Sequence, residues 1–319
     1  MSRVAVLKGG RSLERQVSLR SGARVSDALE RLGHDAVGLD VGPDLIASLR
    51  AERPDAAFVA LHGRDGEDGT VQELLEILGV PYTGSGVLAC SRMMDKVTTK
   101  HLLRAAGIPT PDFFAFSQTA FRELGAADTL PDIETRLAFP IVVKPSRQGS
   151  ALGIKFARSA VDIPGALVSA FSYDERVLLE RYVAGRDLAV SVLDGLDGPQ
   201  ALPVVEAVPR GEDFYDFEAR YEIGRTTFVC PAQLPDGVTE RAQQLAIGTY
   251  ELLGCYGFAR VDLMLAPTGD LTVLEANAIP GLTDTSLLPQ AAEAAGFGFD
   301  EMVGRILQLA FARALAAPV

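Results

Sequence analysis

Two acidic residues and an amide in the C-terminal third of the sequence have the types and the spacing of metal ligands. Asp262 lies in the strand-like run FARVDLML, and Glu275 and Asn277 end a second strand-like run, LTVLEAN. The turn between the runs is centred on Thr268 and Gly269, so the segment has the pattern of a β-hairpin. A hairpin would bring the three side chains together.

The register of this hairpin decides which side chains meet. We assume that Pro267 and Asp270 pair beside the turn. Two further pairs then form across the ladder, which are Asp262 with Glu275 and Arg260 with Asn277. These four side chains share one face, because facing alternates with a period of two. The opposite face, directed to a core, takes Leu263, Leu265, Leu274 and Ala276.

The facing carboxylates favour a bound cation. Two carboxylates set directly across a ladder repel each other and destabilise the sheet unless a cation lies between them. Carboxylate and amide oxygens without a nearby Cys or His favour magnesium or manganese over zinc. The alternative is a solvated sheet face. Magnesium held by few carboxylates usually binds substrate phosphates as well, so a nucleotide site is expected.

Two stretches offer groups for a nucleotide. The P-loop pattern and the pattern G-x-G-x-x-G after a strand are both absent from the sequence. Lys144 ends an apolar strand in VVKPSRQGSALGI, and the loop after it contains Gly149, Ser150 and Gly153. Such a loop can cover phosphates with its N–H groups turned inward, although it can also be a simple turn. Lys96 in MMDK is a second candidate cation, with a solvated surface charge as the alternative.

The composition narrows the class of protein. The chain has 319 residues, 48% of them apolar, and a formal net charge of −12. Nucleic-acid affinity rests mainly on clustered Lys and Arg, so a small-molecule substrate is expected and a nucleic-acid partner is not. The three scattered cysteines argue against a disulfide framework or a zinc site. No apolar run is long enough for a bilayer and no signal-peptide pattern is seen, which predicts a cytoplasmic protein with no membrane partner.

The elements that must position these residues change in kind along the chain. RVAVLKGG and DAAFVALHG are predicted strands, a helix is expected over residues 70–78, and VPYTGS is a third extended piece. This alternation predicts a small parallel-sheet domain. A helix over residues 95–106 opens the next domain. Farther on, FPIVVKPSRQGSALGIKFA and RVLLERYVAGRDLAVSVLDG each have the pattern of a hairpin, which indicates antiparallel sheets.

These residues make the sequence resemble the ATP-grasp enzymes and, more narrowly, the bacterial D-alanine–D-alanine ligases. The resemblance runs nearly end to end on eight motifs in the family's order, which are GGRSLERQVSL, ALHGRDGEDGT, PYTGSGV, MDKVTTK, VVKPSRQGSALGI, FYDFEARY, ARVDLML and LEANAIPGLTDTSLLP. It implies an α/β (α+β) ATP-grasp fold of three α/β domains. Their expected bounds are 1–94 for a parallel N-terminal domain, 95–184 for a central ATP-grasp subdomain, and 185–319 for a C-terminal ATP-grasp subdomain with a lid loop and the metal site.

The resemblance also implies an activity. Two D-alanine molecules would be joined into D-alanyl-D-alanine for peptidoglycan synthesis, with ATP converted to ADP and phosphate through an acylphosphate. ATP would lie between the two antiparallel sheets, and the amino-acid sites would lie where the three domains meet. Two Mg²⁺ ions, replaceable by Mn²⁺, and a homodimer are implied as well.

The family's functional residues map onto this sequence position by position. Lys96 and Lys144 would hold the phosphates, and the other implied nucleotide contacts are Glu180 at the adenine edge, Tyr182, Val183, Asp187 at the ribose and Arg220. The implied metal ligands are Asp262, Glu275 and Asn277. The first substrate's ammonium would meet Glu14, with Ser150, Tyr221 and His62 close by. Arg260 and the Gly281 amide would stabilise an oxyanion, and the second substrate's carboxylate would be received by Ser286 and Leu287.

Some positions depart from the family's pattern. Ala151 replaces a second serine in the phosphate loop, Arg220 replaces a lysine, and Ala278 replaces a common threonine. These changes affect ATP affinity and closure of the lid, which is predicted over about residues 211–228. Two alternatives remain, a same-fold ligase that uses D-lactate or D-serine as acceptor, and a catalytically silent nucleotide-binding module. A dinucleotide-binding oxidoreductase lacks its glycine fingerprint here.

Overall fold

The computed structural model describes residues 1–195, 197–209 and 226–316. Two short 3₁₀ turns, Ala126–Thr129 and Ala160–Asp162, accompany the longer elements. The helices and strands follow one another as β1 (Arg3–Lys8), α1 (Arg15–Arg31), β2 (Asp35–Asp40), α2 (Leu45–Glu52), β3 (Ala56–Val59), α3 (Thr70–Leu78), α4 (Val87–Met94), α5 (Lys96–Ala105), β4 (Phe113–Ser117), α6 (Gln118–Glu123), α7 (Leu130–Leu137), β5 (Ile141–Pro145), β6 (Lys155–Ala157), α8 (Ile163–Phe171), β7 (Arg176–Arg181), β8 (Arg186–Gly195), β9 (Gly198–Ala201), β10 (Val205–Pro209), β11 (Thr226–Val229), α9 (Val238–Leu253), β12 (Phe258–Leu265), β13 (Leu271–Asn277), α10 (Leu287–Ala294) and α11 (Phe299–Ala316).

The N-terminal sheet is parallel, as predicted, but one of its strands was not expected. Its order is β2-β1-β3, and β1 pairs in parallel with both neighbours. The run VPYTGS contributes a single isolated bridge, between Ala57 and Tyr82, rather than a strand. The edge strand is β2, whose burial pattern is half-buried and exposed rather than apolar. Edge strands carry a weaker hydrophobic signal, which explains why the sequence pattern did not indicate it.

Two antiparallel sheets follow, and they correct one predicted hairpin. The first has the order β4-β7-β5-β6, and the second runs β11-β10-β8-β12-β13 with β9 beside β8. The segment FPIVVKPSRQGSALGIKFA is the predicted hairpin of β5 and β6. The segment RVLLERYVAGRDLAVSVLDG is not a hairpin, because β7 belongs to the first sheet and β8 to the second. A Cβ at Gly185 would lie 2.1 Å from the carbonyl oxygen of Leu265, so the glycine lets the chain pass against β12 as it changes sheet.

The β12–β13 hairpin has the predicted pairs but not the predicted turn. Asp262 faces Glu275 and Arg260 faces Asn277, as expected. The register shifts between Asp262 and Leu263, so that Leu263 pairs with Val273 and Leu265 with Leu271. This β-bulge adds one residue to β13 and compensates for a turn that is one residue longer than assumed. The prediction that Leu274 faces the core was therefore wrong, because Val273 is completely buried in that place while Leu274 is half-buried.

The buried side chains of the described residues form three hydrophobic clusters. The largest joins the N-terminal parallel sheet to the six-stranded sheet, and the second lies on one face of the four-stranded sheet. The third is small and consists of Val97, Phe113 and Leu178, on the other face of the four-stranded sheet. The three cysteines are unpaired, with Cys90 buried and Cys230 and Cys255 half-buried. No helix among the described residues is long and apolar enough to cross a membrane.

Candidate active site

The carboxylate of Glu14 lies in a cradle of two glycines. Glu14 directly precedes α1 and is 5% exposed. A Cβ at Gly63 would lie 2.3 Å from Glu14 Oε2, and one at Gly149 would lie 3.0 Å from it, so a side chain at either position would displace this carboxylate. The hydroxyl of Ser150 donates a hydrogen bond to Glu14 Oε1. Ser150 has a φ of 53°, a left-handed conformation that side chains rarely adopt and that is often found at functional sites.

A chain of buried hydrogen bonds joins the N-terminal sheet to the segment after β13. The amide of Leu282 donates to Ser21 Oγ at 3.2 Å, and Ser21 Oγ lies 2.9 Å from Nε2 of His62. Nδ1 of His62 lies 3.1 Å from the carbonyl oxygen of Ile279, which requires a proton on Nδ1. The chain fixes the backbone on both sides of Gly281.

The segment from Gly281 to Leu287 forms the far wall of the same pocket. Ser286 precedes α10, and its hydroxyl accepts a hydrogen bond from the Thr283 amide at 3.0 Å. A Cβ at Gly281 would lie 2.5 Å from Ser286 Oγ, so this close approach also needs glycine. The pocket that these walls enclose is lined by Glu14, His62, Ser150, Arg260, Gly281 and Ser286, with Glu67 and Leu287 beside them.

Of the paired side chains of β12 and β13, Arg260 and Asn277 line this pocket, while the acidic Asp262 and Glu275 beside them are each paired with a positive side chain. Both oxygens of Asp262 accept from the guanidinium of Arg260, at 2.6 and 2.7 Å. The Asn277 amide donates to Asp262 Oδ2 at 3.1 Å. Glu275 Oε2 lies 3.0 Å from the ammonium of Lys96. Among the described residues no three His, Cys, Asp or Glu side chains form a ready cluster for a metal.

The donor set nevertheless fits a hard divalent cation. Asp262 and Glu275 face each other across the ladder and supply carboxylate oxygens, and Asn277 supplies an amide. Each carboxylate is paired with a positive side chain, Asp262 with Arg260 and Glu275 with Lys96. Magnesium prefers such oxygen ligands.

A second group of charges is buried on the other face of the four-stranded sheet, away from the core that contains Ile141 and Val143. The ammonium of Lys144, at the end of β5, lies 2.8 Å from Glu180 Oε1, and the ammonium of Lys100 lies 2.5 Å from Glu180 Oε2. Burial alone would raise the pKa of Glu180, but the two lysines outweigh it and hold that pKa below its usual value. The carboxylate is therefore ionised and shared between two cations.

Asp95 ties the helix that begins with Lys96 to the loop after β5. Its carboxylate caps α5 by accepting from the Thr98 amide at 3.1 Å. It also accepts from Ser146 Oγ at 2.9 Å and from Nε of Arg147 at 3.1 Å. In addition, the ammonium of Lys96 donates to the carbonyl oxygen of Gln148 at 2.8 Å. Helix and loop are thus held as one unit.

The predicted adenine and ribose contacts lie at the crossing between the two antiparallel sheets. Tyr182 and Val183 are half-buried in the connection from β7 to β8, and Asp187 is half-buried near the start of β8. The ring of Phe156 meets that of Tyr182 edge-on at 5.8 Å. Burial, followed by the charge of Asp187, raises the pKa of Tyr182. Arg220, Tyr221 and most of the predicted lid lie outside the described residues.

Comparisons with known proteins agree on one family. Two family models match the chain, "D-ala D-ala ligase N-terminus" over residues 45–85 and "D-ala D-ala ligase C-terminus" over residues 102–308. A D-alanine–D-alanine ligase of Syntrophotalea carbinolica is 47% identical over 305 residues, which are 96% of this chain and 95% of that protein.

The chain belongs to the D-alanine–D-alanine ligase family.

Solved structures in this family have the same fold. The D-alanine–D-alanine ligase of Bacillus anthracis complexed with ATP is 31% identical, with a TM-score of 0.83 and 99% of both chains covered. The VanG D-Ala:D-Ser ligase of Enterococcus faecalis is 27% identical, with a TM-score of 0.81 over 97% of this chain and 99% of that one. The comparisons confirm the predicted ATP-grasp fold class and the predicted activity as an ADP-forming D-alanine–D-alanine ligase.

Four residues of this site were not predicted from the sequence. Glu67 lines the pocket, Ser21 orders its wall, Asp95 joins helix to loop, and Lys100 pairs with Glu180. Asp95 carried a usable signal, since an aspartate before a helix is a common N-cap. The other three look like ordinary surface or helix residues in the sequence, because only tertiary packing buries them.

Proposed function

We propose that this ligase phosphorylates one D-alanine with ATP and joins the resulting acylphosphate to a second D-alanine. The observation that carries the proposal is the single pocket lined by Glu14, Ser150, Arg260 and Gly281, which come from segments far apart in the sequence. The pocket is lined by both anionic and cationic groups, as the ammonium and carboxylate of an amino acid require.

The first D-alanine is held by its ammonium on Glu14. The carboxylate of Glu14 is buried among backbone groups and oriented by Ser150, so it offers a fixed negative charge. His62 lies on the same wall, and Tyr221 is proposed to join Ser150 when the lid closes. This arrangement directs the substrate carboxylate toward the nucleotide.

The nucleotide is proposed to lie between the two antiparallel sheets, above the loop after β5. Lys96, Lys144 and Arg220 neutralise its phosphates. The adenosine part is bound by Glu180, Tyr182, Val183 and Asp187. Two Mg²⁺ ions, which Mn²⁺ can replace, would be held by Asp262, Glu275 and Asn277. When bound, such ions neutralise the charge on the transferred phosphoryl group.

The second half of the reaction takes place at the far wall. The ammonium of the second D-alanine first loses a proton. The resulting amine attacks the acyl carbon, the bond between that carbon and the phosphate oxygen breaks, and inorganic phosphate leaves. Arg260 and the Gly281 amide stabilise the oxyanion that forms between these events. Ser286 and Leu287, at the start of α10, receive the carboxylate of the second substrate. Holding both amino acids beside ATP contributes about 7–11 kcal/mol to the lowering of the barrier.

The organisation of the whole chain is part of this proposal. We assign residues 1–94, 95–184 and 185–319 to three domains, with a lid over about residues 211–228 that excludes water from the acylphosphate. The functional form is proposed to be a homodimer in the cytoplasm.

The test is an assay of ADP and phosphate release with one amino acid or hydroxy acid supplied at a time. We expect release with D-alanine and none above background with L-alanine. D-serine or D-lactate, each supplied together with limiting D-alanine, tests the acceptor. A main product other than D-alanyl-D-alanine would contradict the proposed acceptor, and no D-alanine-dependent release would contradict the proposed reaction.

A further inference from the structure

Lys100 is completely buried, and the reaction described above gives it no role. It lies on α5, one helical turn after Lys96. Its ammonium lies 2.5 Å from Glu180 Oε2 and 2.6 Å from Thr110 Oγ1. It also lies 5.2 Å from the centre of the Phe113 ring, a favourable place for a cation. These contacts hold the ammonium of Lys100 in one position.

Lys144 approaches the same carboxylate from a different environment. Its ammonium contacts Glu180 Oε1 at 2.8 Å, which is its one hydrogen bond within the described part of the chain. The Lys144 side chain is 7% exposed, whereas that of Lys100 is 0% exposed. Because Lys144 ends β5 where the phosphate loop begins, its flexible stem can turn from Glu180 toward that loop. Lys100 has no such path.

The buried group of Lys100, Lys144 and Glu180 has more positive than negative charges. Two ammonium groups share one carboxylate, so the buried group carries one excess positive charge. Arg104, on the same face of α5, adds a further positive charge nearby. Burial lowers the pKa of Lys100 to about 8. The charges of Lys144 and Arg104 act in the same direction, and the charge of Glu180 acts against it. An excess buried cation is costly by itself and favours the arrival of an anion.

We propose that protonated Lys100 stays beside Glu180 as its counter-ion, and that its presence allows Lys144 to leave this carboxylate for the phosphates of the nucleotide. The inference rests on the proposed nucleotide contacts of Lys144 and Glu180. Without Lys100, departure of Lys144 would leave a buried carboxylate with no cation, which is strongly unfavourable. Lys100 is therefore a positioning residue that acts through the other two side chains.

The test measures ADP binding by calorimetry without amino-acid substrate. For Lys100→Met we expect the Kd of ADP to rise about tenfold or more. Arg104→Met is the matched control, because it removes a positive charge from the same helix. The guanidinium of Arg104 lies 4.3 Å from the centre of the same Phe113 ring and does not contact Glu180. Its Kd should stay within about twofold of the wild-type value. Equal Kd values for wild type and Lys100→Met would overturn the inference.

The pH dependence separates this role from a purely structural one. As the pH rises through about 8, Lys100 of the wild type loses its proton and Lys144 is retained by Glu180. The Kd of ADP should therefore rise above this pH in the wild type, and above a somewhat higher pH in Arg104→Met, because Arg104 helps to lower the pKa of Lys100. In Lys100→Met the Kd should be high throughout and flat across this range. The same slope in all three proteins would contradict the role of Lys100.

A double variant tests whether Glu180 is the group that retains Lys144. Glu180→Gln added to Lys100→Met removes the carboxylate that retains Lys144, so the Kd of ADP should recover most of the rise seen in the single variant. No recovery would count against the pairing.

Binding of ADP does not require turnover, so failure of the ligase assay with intact ADP binding would contradict the proposed reaction alone. A wild type that does not bind ADP would contradict both.

Discussion

At the scale of residues, each acid of the site already has a positive or donor partner in the protein. Asp262 is paired with Arg260 and Glu275 with Lys96, and Glu14 accepts a hydrogen bond from Ser150. A ligand or a metal ion that binds here as proposed would therefore exchange partners with these side chains instead of neutralising bare charges. Such exchange lowers the cost of keeping several carboxylates close together before substrates arrive.

Replacement of Glu275 by Gln tests the proposed metal site. The change removes one negative ligand and the ion pair with Lys96, so we expect kcat to fall about a hundredfold or more with little change in the unfolding temperature. ADP release would be measured over a series of Mg²⁺ concentrations. The control is Glu293→Gln on the exposed side of α10, which should behave as wild type. An unchanged Mg²⁺ dependence in Glu275→Gln would rule out a ligand role.

Local spacing indicated only part of the site, and the other predicted residues, such as Glu14 and Ser286, came from the family resemblance. The pairing of Asp262 with Glu275 followed from the alternation of two strands and was found. Lys100 and Ser21 could not be found in this way, because a lysine or a serine in a helix gives no sign of burial. Their partners, Glu180 and Leu282, are distant in the sequence.

At the scale of elements, the β12–β13 hairpin separates its turn from its functional end. The bulge at Leu274 lies between the exposed turn and the pair of Asp262 and Glu275. A register error of one residue moves side chains to the opposite face of a strand. The pairing of Asp262 with Glu275 therefore depends on the correct register beyond the bulge. The turn end has no such requirement.

Two single-residue insertions test this division of the hairpin. Alanine inserted after Thr268 lengthens the exposed turn, and kcat should stay within about twofold of wild type. Alanine inserted after Leu274 displaces Glu275 or widens the bulge, so kcat should fall about tenfold or more while the circular dichroism spectrum is kept. Equal effects of the two insertions on ADP release would refute the division.

The junction of α4 and α5 gives a prediction on stability. Burial acts to raise the pKa of Asp95, but hydrogen bonds from the Thr98 amide, Ser146 and Arg147 outweigh it and lower that pKa below 3.8. The resulting stabilisation is present above about pH 4 and is lost as the pH falls through the folded-state pKa. Asp95→Asn should therefore lower the free energy of unfolding by about 1–2 kcal/mol at pH 7 and by less below pH 4.

Urea unfolding at pH 7 and at pH 3.5 measures this difference. Asp44→Asn is the matched control, since Asp44 also precedes a helix but its side chain makes no capping hydrogen bond. A loss of stability in Asp95→Asn that is the same at both pH values would show that its charge is not responsible.

Helices and hairpins were predictable where a local sequence pattern determines them. They were not predictable where the chain passes from one sheet to another. The helix over residues 70–78 and the hairpin of β5 and β6 agree with expectation. The sequence between β7 and β8 has the composition of a tight turn, yet the two strands enter different sheets. The difference arises from packing of Gly185 against Leu265, a contact 80 positions apart that no local pattern reports.

At the scale of the whole molecule, one core joins the N-terminal sheet to the six-stranded sheet that carries Arg260. The hydrogen bonds through Ser21 and His62 continue this connection into the pocket wall beside Gly281. The N-terminal sheet thus has two tasks, presenting Glu14 and ordering a backbone segment that belongs to the opposite end of the chain.

Ser21→Ala tests the second task. It leaves the Leu282 amide and His62 Nε2 without this buried partner, so we expect about tenfold lower kcat and a loss of about 1–2 kcal/mol of stability. Ser18→Ala is the control on the same helix, because the buried Ser18 hydroxyl bonds only within the N-terminal part, to Gly9 and Ala60. It should lose similar stability at nearly normal kcat. Equal kcat losses in ADP release would contradict a specific role for Ser21.

The sheltered cysteines make the protein suited to selective chemical labelling. Burial raises the pKa of all three thiols, with that of Cys255 at about 12, so little thiolate is present near neutral pH to react with maleimides or iodoacetamides. Thr268, on the exposed hairpin turn, lies outside the paired part of the ladder. A cysteine introduced there would accept a fluorophore or a spin label alone, without removal of any native cysteine, and would place a reporter on the strand pair that carries the acidic residues of the site.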